Sequence, residues 1–145
     1  SSFVFCLFSS YLFYQYFILT PKIVAEKWND GFNQSVQYVK ENQDLYQNIV
    51  ISSSQAPSYI FYLWYLRYDP VQFQNQATVD NTPDQNGLNF TKSFGKYQFT
   101  KDIKSEQLKK ESNSSTLFIG FEGELKDVTT PIKSRNGNVV QEISN

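Results

Sequence analysis

Ser52-Ser53-Ser54-Gln55 follow the β-branched run Asn48-Ile49-Val50-Ile51. Three hydroxyls and an amide at the end of a buried strand could cradle a phosphate or supply a nucleophile. Phosphate loops and dinucleotide fingerprints need glycines so that the backbone can approach the anion, and this segment has none. The plainer reading is a strand end that becomes a helix cap. The chain has no His and a single Cys, Cys6. Ser-His-Asp and Cys-His catalysis, His-based metal sites and a disulfide framework are therefore excluded within it. Glu122 and Glu124 alternate beside Gly120 and Gly123, and Asp69 could pair only with a distant acid. Acid-base glycoside chemistry needs two carboxyls facing each other across a cleft, so these acids read as a solvated strand edge or loop. No residue is assigned a catalytic or metal-binding role. Strand C-termini face the crevice of open α/β sheets, so the expected ligand contacts are Ser52, Ser53, Ser54, Gln55 and the nearby Tyr59.

Those residues need elements to hold them. Ala25, Trp28, Phe32, Val36 and Val39 recur at spacings of three and four, which predicts a helix after Pro21 with one apolar face. Gly31 falls inside it, where it costs about 1 kcal/mol relative to Ala and so signals close packing. Asn48–Ser53 reads as a buried strand. In Tyr59-Ile60-Phe61-Tyr62-Leu63-Trp64-Tyr65-Leu66 a strand and a buried helix compete, and Ser54 with Pro57 as a helix start favours a helix of the core. A sugar-stacking platform or a membrane-facing surface is the rival use of so many rings, but large aromatics mostly fill cores. Tyr68-Asp69-Pro70 stops that helix, and Asp69 can cap a new turn with Pro70 in first position.

Residues 75–89 are polar and turn-rich and read as a surface loop. Phe90–Phe99 reads as one strand bent at Gly95, and 102–111 as a weak helix with Ile103 and Leu108 inward. Thr116–Phe121 is a third strand. Segments 128–134 and 138–143 flank Arg135-Asn136-Gly137, an Asn-Gly hairpin signal. Helices alternating with strands predict an α/β fold: a small three-layer-like domain with a mixed, partly parallel sheet and a C-terminal β-hairpin.

The remaining feature is the start. Phe3–Leu19 carries no charge, and Thr20-Pro21-Lys22 closes it. Its seventeen residues would rise about 25 Å as a helix, slightly short of a ~30 Å hydrocarbon core. The end of a transmembrane helix is the favoured reading. A buried helix and a signal peptide are the alternatives, the latter without a basic n-region or a clear cleavage site. Tyr11, Tyr14 and Tyr16 gather toward its C-terminal half, where an interfacial aromatic belt would sit. The expected division is residues 1–20 as the end of a membrane helix and 21–145 as a soluble α/β domain. A net charge of −1 with scattered basic residues gives no nucleic-acid surface. Sequons at Asn33, Asn89 and Asn113 are uninformative in a chain this rich in Asn and Ser.

An ordered series of motifs carries a resemblance. It runs Tyr16-Phe17, Trp28-x-x-Gly31, Val36-x-Tyr38-Val39, Tyr46-x-x-Ile49-Val50-Ile51 and Pro57-x-Tyr59-Ile60-Phe61. It continues with Trp64-Tyr65, Tyr68-Asp69-Pro70-x-x-Phe73-Gln74 and Ser93-Phe94-Gly95-Lys96-Tyr97-x-Phe99. This series, over about residues 11–100, resembles the C-terminal extracytoplasmic domain of bacterial membrane glycosyltransferases that use polyprenyl-phosphate sugars. These are the protein mannosyltransferase and aminoarabinose transferase group, families 39 and 83, with the GT-C fold. The resemblance implies a non-catalytic domain on the outer side of a bacterial cell membrane, joined to transmembrane segments of the same protein. Its implied partners are the membrane and a lipid-linked sugar or its acceptor, with no nucleic acid. That family's catalytic acids lie in an early external loop that no position here matches. The resemblance implies no cofactor in this segment and leaves a divalent metal elsewhere in such a protein open. A membrane-anchored surface or binding module without enzymatic activity is the alternative function.

Overall fold

A computed structural model describes residues 2–24, 31–81, 87, 89–109, 115–126, 130–134 and 137–144. Ala25, Trp28, the turn residues 82–86, the Asn113 sequon and the Arg135-Asn136 pair lie outside the described residues, as do Val128 and the side chain of Leu108. The fold is mixed α/β, built on a seven-stranded mixed sheet. The strands are β1 (Asn48–Ser52), β2 (Thr78–Asp80), β3 (Phe90–Phe94), β4 (Tyr97–Thr100), β5 (Thr116–Phe121), β6 (Thr130–Lys133) and β7 (Val139–Ser144). Their spatial order is β2-β3-β4-β1-β5-β7-β6. At the centre β1 runs parallel to both β4 and β5, with Ile49 opposite Tyr97 and Leu117. All other pairings are antiparallel.

Residues of β1 and β5 are covered on both faces, which is why they are continuous apolar runs and not alternating ones. Ile49 and Ile51 enter one core cluster with Phe32, Val36 and Val39 of α3 (Phe32–Asn42) and Tyr62 of α4 (Ser58–Leu66). Val50 points the other way and meets Phe118, Leu125 and Ile103 of α6 (Ile103–Lys109). Each fully buried Ile or Leu here contributes roughly 1.5–3 kcal/mol by leaving water. Asp69 caps α5 (Pro70–Gln76), its Oδ1 accepting from Val71 N–H at 2.7 Å, with Pro70 in first position as the sequence predicts.

Four sequence expectations change. The segment 75–89 contains β2, whose polar residues pair with β3 as an edge strand. Phe90–Phe99 is not one bent strand but a hairpin, β3 and β4 joined at Gly95-Lys96. Gly95 takes φ 53° at the first loop position, the left-handed backbone that a tight hairpin of this twist needs. Gly31 is not inside a helix: it precedes α3 with φ 113°. Close packing there is real, since a Cβ at Gly31 would stand 2.6 Å from Val140 Cγ2.

Pro21 does not end the helical start. α1 (Ser2–Tyr14) runs into a π-turn, Gln15–Leu19, and then into α2 (Thr20–Val24). Proline cannot donate to the preceding turn, and the widened turn absorbs the defect: Thr20 N–H and its hydroxyl both reach Gln15 O, the hydroxyl at 2.9 Å. No single helix of the described residues is long and apolar enough to cross a membrane.

Candidate functional site

The sheet has a switch point at the C-terminal ends of β1 and β4. From β1 the chain leaves toward α4 on one face; from β4 it leaves toward α6 on the other. Adjacent parallel strands whose connections part in this way open a crevice, the usual ligand position in open α/β sheets. A groove of about 750 Å³ starts there and runs over β4, β3 and β2. That is within the range of small-molecule sites, roughly 300–1,000 Å³. α6 packs on β1 and β5, so the α6-side surface of the other strands holds the groove floor. Val50, Gln98, Thr100 and Lys92 line it, with Lys101 and Glu106 on the α6 side. Lys92 pairs with Asp80 at 3.0 Å, and the Lys101 ammonium stands 5.4 Å over the Phe90 ring. The lining offers donors and acceptors in near balance, with one aromatic face. It suits a neutral or weakly charged polar ligand better than a polyanion, since each sign of charge is already answered nearby.

None of the expected ligand contacts is among the residues that line the groove. Ser53 N–H donates to Thr100 O at 2.7 Å, which binds the strand-end loop to β4. Ser52 Oγ and Ser54 Oγ lie 3.2 Å apart. Ser54 Oγ donates to Glu124 Oε1, and Glu124 Oε2 accepts from Phe121 N–H at 2.8 Å. Glu124 therefore closes the ends of β1 and β5 into one network instead of edging a solvated strand. Ser53 Oγ is buried without a hydrogen-bond partner. Gln55 is exposed. Tyr59 belongs to the opposite face: it packs against the α4-side core, edge-on to Phe99 at 6.4 Å. Ser52–Ser54 and Tyr59 thus share an end of the sheet but not a surface.

Sequence reading passed over Asp80, Lys92, Gln98, Thr100, Lys101 and Glu106. A signal existed in β4, where Gln98 alternates with Tyr97 and Phe99, and in β3, where Lys92 shares its face with Phe90. It could not show that β2 and α6 would shape that face into a groove.

In the helical start, Tyr11, Tyr14 and Tyr16 are 57%, 49% and 69% exposed, beside equally exposed Phe13 and Phe17. Gln15 Nε2 donates to Tyr11 Oη at 2.6 Å, so that amide is satisfied within the helix.

Among the described residues no three Cys, Asp or Glu side chains gather as a metal site. Compared with known proteins, the chain matches no family model, no curated protein and no solved structure.

Proposed function

We propose that this chain is a membrane-tethered, non-catalytic α/β domain of a bacterial glycosyltransferase that moves a sugar from a polyprenyl-phosphate carrier. In this reading the fold is three-layer-like, with helices on both faces of the sheet, and the apolar residues 3–19 are the end of a membrane helix on the extracytoplasmic side. The catalytic groups and any divalent metal belong to other segments of the protein.

One observation supports the reading above the others: the chain enters α3 at the C-terminal end of the parallel strands. Phe32, one residue after Gly31, stacks on Phe61 at 4.3 Å and meets Phe121 edge-on at 6.1 Å. Phe121 ends β5 and donates to Glu124, which holds Ser54. From Val24 to Gly31 is seven residues, at most about 25 Å of extended chain. A membrane helix ending near residue 24 therefore keeps the switch-point groove and Ser52–Ser54 close to the bilayer, where a lipid-linked sugar or its acceptor would be held.

The test is a chimera in the membrane protein carrying this domain, with 45–145 replaced by an unrelated α/β domain. Transfer of labelled sugar from the polyprenyl carrier is then measured. The reading expects at least a tenfold fall in transfer with the chimera still in the membrane; undiminished transfer overturns the positioning role. The groove itself favours a second reading, a membrane-anchored binding module without transfer activity. A tight glycan ligand bound by the chain, with no sugar transfer by the protein that carries it, would select it.

A further inference from the structure

α4 has the composition of a buried helix and the exposure of a surface one. Its sequence Ser-Tyr-Ile-Phe-Tyr-Leu-Trp-Tyr-Leu is apolar or aromatic on every side, a pattern that normally requires cover all round. Tyr62 is fully buried, and Phe61 and Leu63 pack on the core. Yet Trp64 is 77% exposed and Ile60 49%. They stand at i and i+4 on one outward stripe, and exposed Arg67, with φ 53°, ends the helix just beyond them. No carboxylate pairs with Arg67 among the described residues, and Asp69, two residues on, is engaged in capping α5. An apolar residue, a tryptophan and a cation close together match the boundary between acyl chains and phosphate headgroups.

The tether supports that boundary as the occupant. α3 and α4 run side by side in the same direction: Phe32 stacks on Phe61, and Lys40 Nζ donates to Tyr65 O at 2.7 Å. The start of α4 thus lies beside Gly31, where the chain comes in from the apolar helix. We infer that the Ile60–Trp64 stripe, with Arg67 at its end, lies on the bilayer surface, a second membrane contact that lays the domain on its α4 side. This rests on the membrane reading of residues 3–19. Ile60 and Trp64 would enter the interface, and Arg67 would meet a lipid phosphate. Trp64 then fixes orientation and gives the groove a defined presentation.

The experiment uses the whole chain in phosphatidylcholine–phosphatidylglycerol vesicles. Nitroxide labels are placed singly at native Cys6, at Trp64→Cys in a Cys6→Ser background, and at Glu122→Cys in the same background. Collision with oxygen, which partitions into lipid, is compared with collision with a water-soluble nickel chelate. The inference expects Cys6 deep in lipid, position 64 at the headgroup boundary with oxygen favoured severalfold over its value at 122, and position 122 aqueous. Cys6 in lipid with position 64 as aqueous as 122 overturns the inference and leaves the membrane reading standing. Cys6 in water overturns both. A label at 64 shielded from both reagents, or broadened by a second label, assigns the stripe to protein contact or to a second copy and also overturns it. Trp64 is too exposed for its replacement to unfold the domain, and retained amide protection in β1 and β5 checks this.

Discussion

At the scale of single residues, polar groups near the core carry the sharpest consequences. Tyr62 is fully buried and its hydroxyl has no hydrogen-bond partner. Ser35 sits beside it, but the Ser35 hydroxyl already donates to Phe32 O at 3.0 Å. Burial pushes the Tyr62 phenol well above its ordinary value of about 10, and the Ser35 hydroxyl offsets this only in part. Burial also raises Tyr97. A raised folded-state value means the unfolded chain loses its phenol protons first as pH climbs, so stability holds below about pH 10 and falls above it. Tyr62→Phe removes no hydrogen bond, and leaving a buried group unsatisfied costs about 1–3 kcal/mol. Urea unfolding at pH 7 should show the variant equal to or up to about 1 kcal/mol above wild type, with a shallower loss between pH 10 and 11. A loss beyond 1 kcal/mol at pH 7 would mean the hydroxyl is satisfied. The two neighbouring acids, equivalent by sequence, separate in the same assay. Glu124→Ala deletes the acceptor of Ser54 and Phe121 and should cost about 1–2 kcal/mol, while exposed Glu122→Ala should stay within about 0.5 kcal/mol.

At the scale of elements, what the sequence made legible follows a rule of local sufficiency. β1 and β5 were readable because burial on both faces demands an apolar run without alternation. α5 was readable because Asp69-Pro70 combines a side-chain acceptor with a residue that needs no N–H donor partner. β2 was not, because Thr-Val-Asp has no core face of its own and owes its pairing to β3. The β3–β4 turn was hidden because Gly95-Lys96 lacks the Asn-Gly signature. Ser52–Ser54 and Tyr59 share one end of the sheet, as the order of elements dictates. Their separation onto two faces depends on which side each connection takes. Gly31 shows the same limit, for its helical spacing suggested an interior residue while its role is to let β7 close over the start of α3. Gly31→Ala meets two penalties, a Cβ at φ 113° and the 2.6 Å approach to Val140 Cγ2. The expected loss is about 2–3 kcal/mol, combining left-handed strain with overpacking. Adding Val140→Ala should return part of it, leaving the backbone share, so a double-mutant cycle in thermal unfolding should give a coupling of about 1 kcal/mol. Strict additivity would place the strain entirely in the backbone.

At the scale of the molecule, the apolar start and the sheet domain differ in where their stability arises. Val4, Phe5, Phe8, Phe13, Phe17 and Ile23 are each more than half exposed, so the start buries little of its apolar surface against anything in this chain. The domain core is instead closed by α3, α4 and α6 on the sheet. Since hydrophobic stabilisation scales with area removed from water, at about 25 cal/mol per Å², removing residues 1–24 should leave the domain's unfolding midpoint nearly unchanged. Association should change sharply. Exposed apolar patches beyond a few hundred Å² drive assembly or lipid binding, so the intact chain should form large particles in buffer and move onto vesicles. The shortened chain should be monomeric by light scattering in buffer, with only weak vesicle binding through Ile60, Trp64 and Arg67. Loss of several degrees in midpoint on truncation would show that the start packs on the domain as a core helix, the rival reading of Phe3–Leu19. A stable, monomeric domain would assign the start to attachment, and the remaining vesicle binding, lowered further by Trp64→Ser, would measure how much of the attachment α4 supplies.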